Sequence, residues 1–318
     1  MKLEGMTIIV PFLNEEDGIE QFCKEFDNFV GTLDFDIEVL FVNDGSTDNS
    51  VEEISKCEFQ NIQDVKIINL SKNFGSHAAI RAGLSRARYD VCTWLGSDLQ
   101  EPLELIPFAF NKICNEGYDA VYVEKKTIKI SGFNRFFSKA YSKLMQKYAV
   151  KNYASGGTST IVFNSKIKDL LNNNIESNSS IMLQIMDAGF KYYCIALDYK
   201  ERVAGTSKWT LTKKIKLFID SFVSFSFMPI RLVSIIGVIF FLIGLSIGVE
   251  TIINKIFNPA VPSGYSTLVS ILALGFGITN ISLGIIAEYL WRTYDAARKR
   301  PVFIISDEMV VKENGKKY

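Results

Sequence analysis

The sequence is poor in the residues from which many catalytic and structural sites are built. It contains one histidine, His77, which argues against a histidine-based triad and against a metal site with several imidazole ligands. Its five cysteines are widely scattered, and no pair has zinc-ligand or disulfide-framework spacing, so we expect reduced and mostly buried thiols. Lysine plus arginine and aspartate plus glutamate both number 35, so the net charge says nothing about nucleic acid, and we expect no nucleic acid partner. The first residues lack the charged, apolar and small-residue regions of a signal peptide.

Asp98 is the residue of the sequence that says most about function. Residues 90–95 predict a buried strand, and Asp98 follows just past its carboxyl end. In open α/β sheets ligands bind at that edge, and a carboxylate there suits a divalent metal that bridges phosphates. The alternative is a turn aspartate that caps a helix beginning near Glu101 and Pro102. This segment alone leaves both interpretations open.

Strands and helices alternate through the first 210 residues. Apolar runs predict strands at 7–11, 37–42, 65–70 and 91–95, and helical spacing predicts helices at 19–30, 50–56 and 76–87. Such alternation is typical of an α/β domain with a mostly parallel sheet, which we assign to residues 1–210. Polar and acidic residues gather at the predicted strand ends, namely Asn14, Glu15, Asp44, Ser71, Asn73 and Asp98. Because these ends share one edge, they predict a crevice that faces a phosphate-rich ligand.

Two long stretches of the C-terminal part carry no charge. Residues 232–249 and 265–287 contain no charged residue, and extended to about 232–253 and 266–290 each is long enough to cross a bilayer as a helix. The alternative is a pair of fully buried helices in a soluble protein. Basic residues flank both runs on their outer sides, so the positive-inside rule assigns the flanks and the N-terminal domain to the cytoplasm. We therefore predict a transmembrane hairpin over 229–291, a cytoplasmic tail over 292–318, and a multi-pass protein of the inner membrane.

Two further segments predict amphipathic helices at the membrane surface. Within 131–151, basic side chains recur at every fourth position, aromatic side chains interleave with them, and no acid occurs. Residues 211–228 carry three lysines followed by four phenylalanines and lead into the first apolar run. For 131–151 the alternative is the solvated face of an ordinary packed helix.

Several segments, taken in order, carry a resemblance to a known family. They are Ile9–Glu16, Val42–Asp48, Leu70–Gly75, Asp98–Pro102 and Arg202–Trp209, and the stretch Glu288–Pro301 also fits. The chain resembles the family 2 glycosyltransferases with the GT-A fold. Within them it is most similar to the polyprenyl-phosphate branch, which includes dolichol-phosphate mannose synthase and the bactoprenol glucosyltransferases.

The resemblance implies a membrane-anchored, inverting glycosyltransferase of cell-surface glycan synthesis. Such an enzyme moves a sugar from a nucleotide-sugar, with a UDP-sugar favoured, to polyprenyl (undecaprenyl) phosphate on the cytoplasmic face. The resemblance implies that Asp98 is catalytic and binds Mg²⁺ or Mn²⁺ on the diphosphate. The implied nucleotide-sugar-binding residues are Pro11, Asn14, Glu15, Asp44, Ser71, Asn73, Gly75, Asp98 and Gln100, and the implied acceptor and phosphate ligands are Arg202, Ser207 and Lys208. The expected partners are the donor, the lipid acceptor, the bilayer and further copies of the chain in a homo-oligomer.

The sequence departs from the family pattern at two positions. Gly96 stands where the family carries the first acid of Asp-x-Asp, and an acid expected near Ser159 is missing. Mg²⁺ is often held by one or two carboxylates with phosphates and waters, so the loss of one ligand is compatible with metal binding. A phosphate acceptor is already ionised at neutral pH, whereas a hydroxyl acceptor needs a general base. The alternatives are a transferase that extends a lipid-linked oligosaccharide or polysaccharide, and a catalytically weakened membrane partner that keeps the fold.

Overall fold

The chain divides into two compact units. The computed structural model describes residues 5–98, 100–125, 143, 146–147, 160–175, 180–197, 228–257, 264–298, 300–313 and 316–317. One unit comprises Met1–Ser221 and Pro301–Tyr318, and the other is Phe222–Arg300. The second unit is therefore an insertion in the chain of the first.

The first unit is built around one mixed sheet. Its strands are β1 Gly5–Phe12, β2 Asp36–Asn43, β3 Asp64–Leu70, β4 Val91–Trp94, β5 Ala120–Lys125, β6 Ile161–Phe163, β7 Tyr192–Leu197, β8 Ile305–Glu313 and β9 Lys316–Lys317. Among the described residues they form a nine-stranded sheet in the order β7-β5-β6-β4-β1-β2-β3-β8-β9. The run β4-β1-β2-β3 is parallel, whereas β8 joins β3 and β6 joins β4 in antiparallel fashion. The predicted α/β architecture is confirmed, with a parallel centre and antiparallel pairs toward both edges.

Helices connect the strands, and the first three of them follow the order that the hydrophobic periodicity predicts. They are α1 Ile19–Val30, α2 Ser50–Lys56, α3 Ser76–Leu84, α4 Leu105–Glu116, α5 Ser165–Asn173 and α6 Ile181–Asp187. α1 coincides with the predicted helix because Ile19, Phe22 and Phe26 recur at helical spacing and are all buried. α3 ends at Leu84, earlier than the predicted residue 87, because the Arg86 and Ala87 amides bond three residues back, to the Gly83 and Leu84 carbonyls, in a tighter turn.

The core lies on both faces of the parallel strands. In β1 and β2 almost every side chain is buried, as expected of strands that helices cover on both faces. Phe22 of α1 meets Phe41 of β2 edge to face, with ring centroids 6.0 Å apart. Each fully buried side chain of this size contributes about 1.5–3 kcal/mol of hydrophobic stabilisation. This packing holds the parallel strands in place and so fixes where their carboxyl ends lie.

At the amino ends of the parallel strands, buried acids bond to groups of the protein itself. Glu38 in β2 is 1% exposed, and its carboxylate accepts hydrogen bonds from the Thr7 hydroxyl at 2.7 Å and the Arg88 amide at 2.8 Å. The Arg88 guanidinium lies 2.8 Å from the Asp64 carboxylate. The chain leaves α3 in a direction that brings the Arg88 amide to this cluster. At this end of the sheet the carboxylates of Glu38 and Asp64 are therefore bonded to groups of the protein itself.

The second unit contains two long helices, α7 Met228–Phe257 and α8 Tyr265–Arg298, which pack against each other. They include the predicted helices at about 232–253 and 266–290 and extend beyond them. Among the residues that the structure describes, no helix is both long enough and apolar enough to cross a membrane. The transmembrane hairpin stays a prediction.

Three predicted segments lie outside the described residues or differ from the prediction. The predicted surface helices at 131–151 and 211–228 lie almost entirely outside the described residues. Residues 301–318, which we expected within a cytoplasmic tail, supply β8 and β9 to the sheet of the first unit. Apolar and β-branched residues between Ile304 and Val311 favour this outcome, because β8 pairs with β3 and covers its backbone groups.

Candidate functional site

The residues that the sequence selects follow the ends of four neighbouring strands. β4, β1, β2 and β3 are adjacent and parallel, so their carboxyl ends share one edge of the sheet. We call residues 11–15, 43–48, 71–75, 96–98 and 100–101 at these strand ends the carboxyl edge. It includes the predicted residues Pro11, Asn14, Glu15, Asp44, Ser71, Asn73, Gly75, Asp98 and Gln100.

Reciprocal hydrogen bonds join the loops after β1 and β2. The Asn14 amide donates to the Ser46 hydroxyl at 3.0 Å, and the Thr47 amide donates to the Asn14 side-chain oxygen at 2.8 Å. Asn14 has a φ of +52°, a left-handed conformation that asparagine tolerates better than most residues. The Glu15 amide donates to the Ser50 hydroxyl at 2.9 Å. These bonds fix the two loops relative to each other.

Asp48 organises the start of α2 beside these loops. Its carboxylate accepts hydrogen bonds from the Ser50 hydroxyl at 2.6 Å and from the Glu16 amide at 3.2 Å. Burial acts to raise the pKa of Asp48, but hydrogen bonds from Ser50 and the backbone outweigh it and hold this pKa below its ordinary value. The charged form of Asp48 is therefore the form that the loop stabilises.

Asp44 ties the end of β2 to the start of α3. It is 4% exposed, and its carboxylate accepts hydrogen bonds from the amides of Phe74 at 2.7 Å and Gly75 at 2.9 Å. Burial raises the pKa of Asp44, and the bonds from the two amides oppose this rise. These bonds give Asp44 a role in holding the loop after β3, and its direct contact with a nucleotide stays a prediction.

The loops after β2 and β3 approach each other at Gly45. This residue has a φ of +78°, and a Cβ there would lie 2.7 Å from the Asn73 amide nitrogen and 2.8 Å from the Lys72 carbonyl carbon. L side chains rarely adopt this φ, and the facing backbone leaves no room for one. Glycine at this position therefore allows the predicted ligand Asn73 to sit directly against the β2 loop.

Two carboxylates turn toward the space that a side chain at Gly96 would occupy. A Cβ at Gly96 would lie 2.9 Å from Asp98 Oδ1 and 3.4 Å from Glu101 Oε2. The Gly96 amide also donates to Glu101 Oε2 at 3.4 Å. Oxygens of both carboxylates thus lie beside the position of the missing side chain, which we call the Gly96 cradle. The sequence analysis missed Glu101 as a candidate ligand, although its short spacing from Asp98 was a visible signal.

The alternative in which Asp98 caps the following helix is wrong. That helix, α4, begins at Leu105 rather than near Glu101 and Pro102, and its N-cap residue is Glu104. A turn closed by the Leu105 amide and the Pro102 carbonyl, 3.1 Å apart, separates Asp98 from the helix. Asp98 therefore belongs to the loop at the strand end.

The remaining predictions for the site concern a larger metal-binding group and the ligands of the phosphates. Within the described part of the chain, no group of three or more histidine, cysteine, aspartate or glutamate side chains is arranged to hold a metal ion. Arg202, Ser207 and Lys208, the predicted acceptor and phosphate ligands, lie outside the described residues, and so does Ser159. Their roles stay predictions.

Comparison with known families decides the class of the protein. Residues 7–186, more than half of the chain, match the model of glycosyl transferase family 2. The chain belongs to this family. It is therefore a glycosyltransferase, and the family resemblance carried by the ordered motifs is confirmed.

Similar proteins extend over nearly the whole chain. The uncharacterized glycosyltransferase YkcC of Bacillus subtilis (strain 168) is 31% identical over 300 residues, which are 94% of this chain and 92% of that protein. An undecaprenyl-phosphate 4-deoxy-4-formamido-L-arabinose transferase of Klebsiella pneumoniae (strain 342) is 28% identical over 305 residues, 95% of this chain and 93% of that one. A solved structure, mannosyltransferase PcManGT from Pyrobaculum calidifontis in complex with GDP-Man and Mn²⁺, is 13% identical with a TM-score of 0.43 and covers 93% of this chain and 88% of that chain. The similarity of the two relatives thus continues beyond the family model into the C-terminal part.

Proposed function

We propose that the protein transfers one sugar from a nucleotide-sugar, with a UDP-sugar favoured, to polyprenyl (undecaprenyl) phosphate at the cytoplasmic face of a membrane. The observation that carries the proposal is the carboxyl edge, where the loops after neighbouring parallel strands are bonded together and Asp98 and Glu101 face one cradle. Membership of family 2 supports the reaction type. The name of the Klebsiella relative supports the acceptor class, at 28% identity.

The residues at the carboxyl edge fit a divalent cation. Carboxylate oxygens of Asp98 and Glu101 face the space that the absent side chain of Gly96 leaves open. Two carboxylates with diphosphate oxygens and water form a ligand set that Mg²⁺ accepts. Asp98, with Glu101 beside it, would hold the ion. A bound Mg²⁺ or Mn²⁺ offsets the charge of the nucleoside diphosphate as it leaves.

The bonded loops would receive the nucleotide. We assign the base and ribose to the segments around Asn14 and Asp44, and the neighbouring wall to Ser71, Asn73 and Gly75. Hydrogen bonds within the protein already order these segments, so little conformational entropy has to be lost on binding. Arg202, Ser207 and Lys208 would contact phosphates of the donor or the acceptor, a task that suits their side chains.

In the proposed reaction a phosphate oxygen of the acceptor attacks the anomeric carbon of the sugar. A new carbon–oxygen bond forms, the bond to the diphosphate breaks, and the nucleoside diphosphate leaves with the bonding electron pair. Attack opposite the leaving group inverts the anomeric configuration, as the family resemblance implies. An ionised phosphate has no proton to lose, so the absence of an acid near Ser159 is compatible with this acceptor.

The second unit would anchor the enzyme to the membrane. The charge-free runs 232–249 and 265–287 lie within α7 and α8. Large apolar side chains along these helices are exposed, for example Val238 at 59% and Phe276 at 67%, and lipid would cover them. Trp291 and Tyr294 near the end of α8 are also exposed, and such aromatic side chains are enriched at membrane interfaces.

Chain connectivity supports an even number of crossings. The chain leaves the first unit after Ser221 and returns to it at Pro301, where β8 joins the same sheet as β3. An anchor inserted in this way would enter and leave the membrane on the same side. Two helices satisfy this condition, and the basic outer flanks favour the cytoplasmic side.

The proposal is tested with purified full-length protein, a panel of nucleotide-sugars and undecaprenyl phosphate, with and without Mn²⁺. We expect one donor to give a glycolipid, detected by mass spectrometry, only when the metal is present. No product from any donor would overturn the proposal. Product that forms only with a hydroxyl-bearing lipid-linked oligosaccharide would replace the proposed acceptor with the chain-extending alternative.

A further inference from the structure

The C-terminal strand reaches the carboxyl edge of the parallel sheet. β8 runs antiparallel to β3, with Ile305 opposite Leu70 and Asp307 opposite Asn69. The start of β8 therefore lies beside the end of β3, and the Ser71 amide donates to the Ile304 carbonyl at 2.9 Å. The residues that follow the helical unit in the chain thus arrive next to the candidate site.

A chain of hydrogen bonds runs from β8 through β3 to the loop after β2. The Asn69 side-chain amide donates to Asp307 Oδ2 at 2.7 Å, and the Asn43 side-chain amide donates to Asn69 Oδ1 at 2.9 Å. Asn43 Oδ1 then accepts from the Ser46 backbone amide at 2.7 Å. The Ser306 hydroxyl lies 2.9 Å from Asp307 Oδ1 and 3.0 Å from the Asn69 carbonyl, so Asp307 is itself held in place.

The carboxylate of Asp307 at one end and the Ser46 backbone amide at the other require the same direction for every bond in this chain. An ionised carboxylate only accepts hydrogen bonds, so it must receive the NH₂ group of Asn69. The oxygen of Asn69 is then directed at Asn43, which must donate its own NH₂ group and keep its oxygen for the Ser46 amide. Without this acceptor the NH₂ group of Asn69 loses its partner, and the Asn69 side chain could rotate away from Asn43.

The far end of the chain is a loop that contacts the proposed nucleotide site. The Ser46 hydroxyl accepts from the Asn14 amide at 3.0 Å, and Asn14 in turn accepts from the Thr47 amide at 2.8 Å. Asn14 is one of the residues proposed to bind the nucleotide. A change in the orientation of Asn43 would therefore reach Asn14 through Ser46.

We propose that Asp307 is a positioning residue for nucleotide binding, which acts from the C-terminal strand by orienting Asn69 and Asn43 and so the loop that carries Ser46. The proposal rests on the proposed function, because it concerns the nucleotide of the donor. It assigns to the segment beyond the helical unit a part in the donor site, in addition to its place in the sheet. Asp307 itself need not touch the donor.

The test measures the affinity of the full-length protein for UDP, with GDP in parallel, by calorimetry in the presence of Mn²⁺. Asp307→Ala removes the acceptor and should weaken nucleotide binding about fivefold. Asp307→Asn keeps an acceptor oxygen and should stay within about twofold of the unchanged protein. Glu308→Ala is the matched control, because Glu308 is the next residue of β8 and bonds to Arg86 at 2.6 Å. This bond lies outside the relay, as we call the hydrogen-bond chain from Asp307 to Ser46.

A second variant separates the relay from general damage to β8. Asn69→Ala breaks the same chain from β3, and combined with Asp307→Ala it should weaken binding no more than either change alone. Equal affinities of Asp307→Ala and the unchanged protein overturn the inference, and so does an equal loss in Glu308→Ala. Failure of both relay variants to fold would make Asp307 a structural residue and overturn it as well. An unchanged protein that binds neither nucleotide would instead contradict the proposed function.

Discussion

Glu38 at the amino ends of the parallel strands and the pair Asp98 and Glu101 at the carboxyl ends are acidic side chains in opposite settings. At the amino ends, Glu38 is buried and its carboxylate bonds to the Thr7 hydroxyl and the Arg88 amide. At the carboxyl ends, oxygens of Asp98 and Glu101 face a cradle in a partly exposed turn. Glu38 therefore serves the fold at the amino end of β2, whereas Asp98 and Glu101, which follow β4, are the acids proposed to meet a ligand.

This difference follows from what burial demands of a charge. A carboxylate buried in the protein must be fully bonded there, since an unpaired buried charge costs several kcal/mol. A carboxylate that is to meet a cation and a diphosphate must instead stay reachable, and its bonds within the protein add little stability. We expect substitution of Glu38 to lower stability and substitution of Asp98 to lower activity.

The largest effect is expected from Asp98→Ala, which should lower the transfer activity. Loss of the proposed metal and diphosphate ligand should lower kcat/KM about 1000-fold, equivalent to roughly 4 kcal/mol of transition-state stabilisation. The midpoint of thermal unfolding should change by less than about 2 °C. The measurements are metal-dependent sugar transfer and calorimetry of the full-length protein.

The control for this prediction is Asp34→Ala, which removes an exposed acid from the loop before β2. It should leave both transfer and the unfolding midpoint unchanged. A large fall in the unfolding midpoint of Asp98→Ala would contradict the contrast between the two ends of the sheet.

The next largest effect is expected from Glu38→Ala, and it should fall on stability. The substitution leaves the Thr7 hydroxyl and the Arg88 amide without their acceptor in a buried region. We expect a loss of about 3 kcal/mol in the free energy of unfolding, seen as a midpoint roughly 6–12 °C lower. Glu38→Gln retains one acceptor oxygen and should lose less than half as much. Transfer activity at a temperature where the variant is folded should stay within about twofold, and a larger loss would argue that the amino ends also serve catalysis.

The centre of the fold could be predicted because its signals are local. The apolar runs of β1 to β4 and the helical spacing of Ile19, Phe22 and Phe26 lie within short windows of sequence. The strand β8 was missed because its position depends on pairing with β3, and its bond between Asn69 and Asp307 joins residues 238 positions apart. A periodicity within nine residues cannot reveal which distant edge they will cover.

The candidate site could be predicted at the level of loops but not of bonds. Strand ends are visible in the sequence, so the positions of Asp44 and Asp98 in the loops after β2 and β4 were predicted, and their roles in a site stay predictions. The bonds from the Phe74 and Gly75 amides to Asp44 depend on how two loops meet. Glu101 was missed for a related reason, since the direction of a side chain in a turn follows from backbone geometry that a motif does not specify.

A smaller effect is expected from Gly45→Ala, which tests how tightly the carboxyl edge is built. The added Cβ would strain a backbone with φ of +78° and meet the Asn73 backbone at 2.7 Å. We expect a loss of about 2 kcal/mol in unfolding free energy and a several-fold weaker affinity for UDP. The matched control is Gly189→Ala, where φ is +75° but no atom lies within 4 Å of the added Cβ. That variant should lose about 1 kcal/mol in unfolding free energy and bind UDP with unchanged affinity. Equal effects of both changes would mean that backbone strain alone accounts for the effect of Gly45→Ala.

The smallest effect is expected from Glu101→Gln, and it asks whether the carboxyl edge offers one acid to a metal or two. Removing one of the two carboxylates that face the Gly96 cradle should weaken Mn²⁺ binding about fivefold, or roughly 1 kcal/mol, measured by electron paramagnetic resonance in the presence of UDP. Glu104→Gln changes the same charge at an exposed position of the same segment and should leave the Mn²⁺ affinity unchanged.

Moving the acid back to its usual position in the family sharpens this last prediction. In Gly96→Asp combined with Glu101→Gln, the new Cβ lies 2.9 Å from Asp98 Oδ1, the end of a side chain that can rotate. We expect the double variant to regain much of the lost Mn²⁺ affinity, because it restores two carboxylates to one turn. Unchanged affinity in Glu101→Gln would instead leave Asp98 as the single acid that this turn offers to a metal, and the contrast between the ends of the sheet would then rest on one residue.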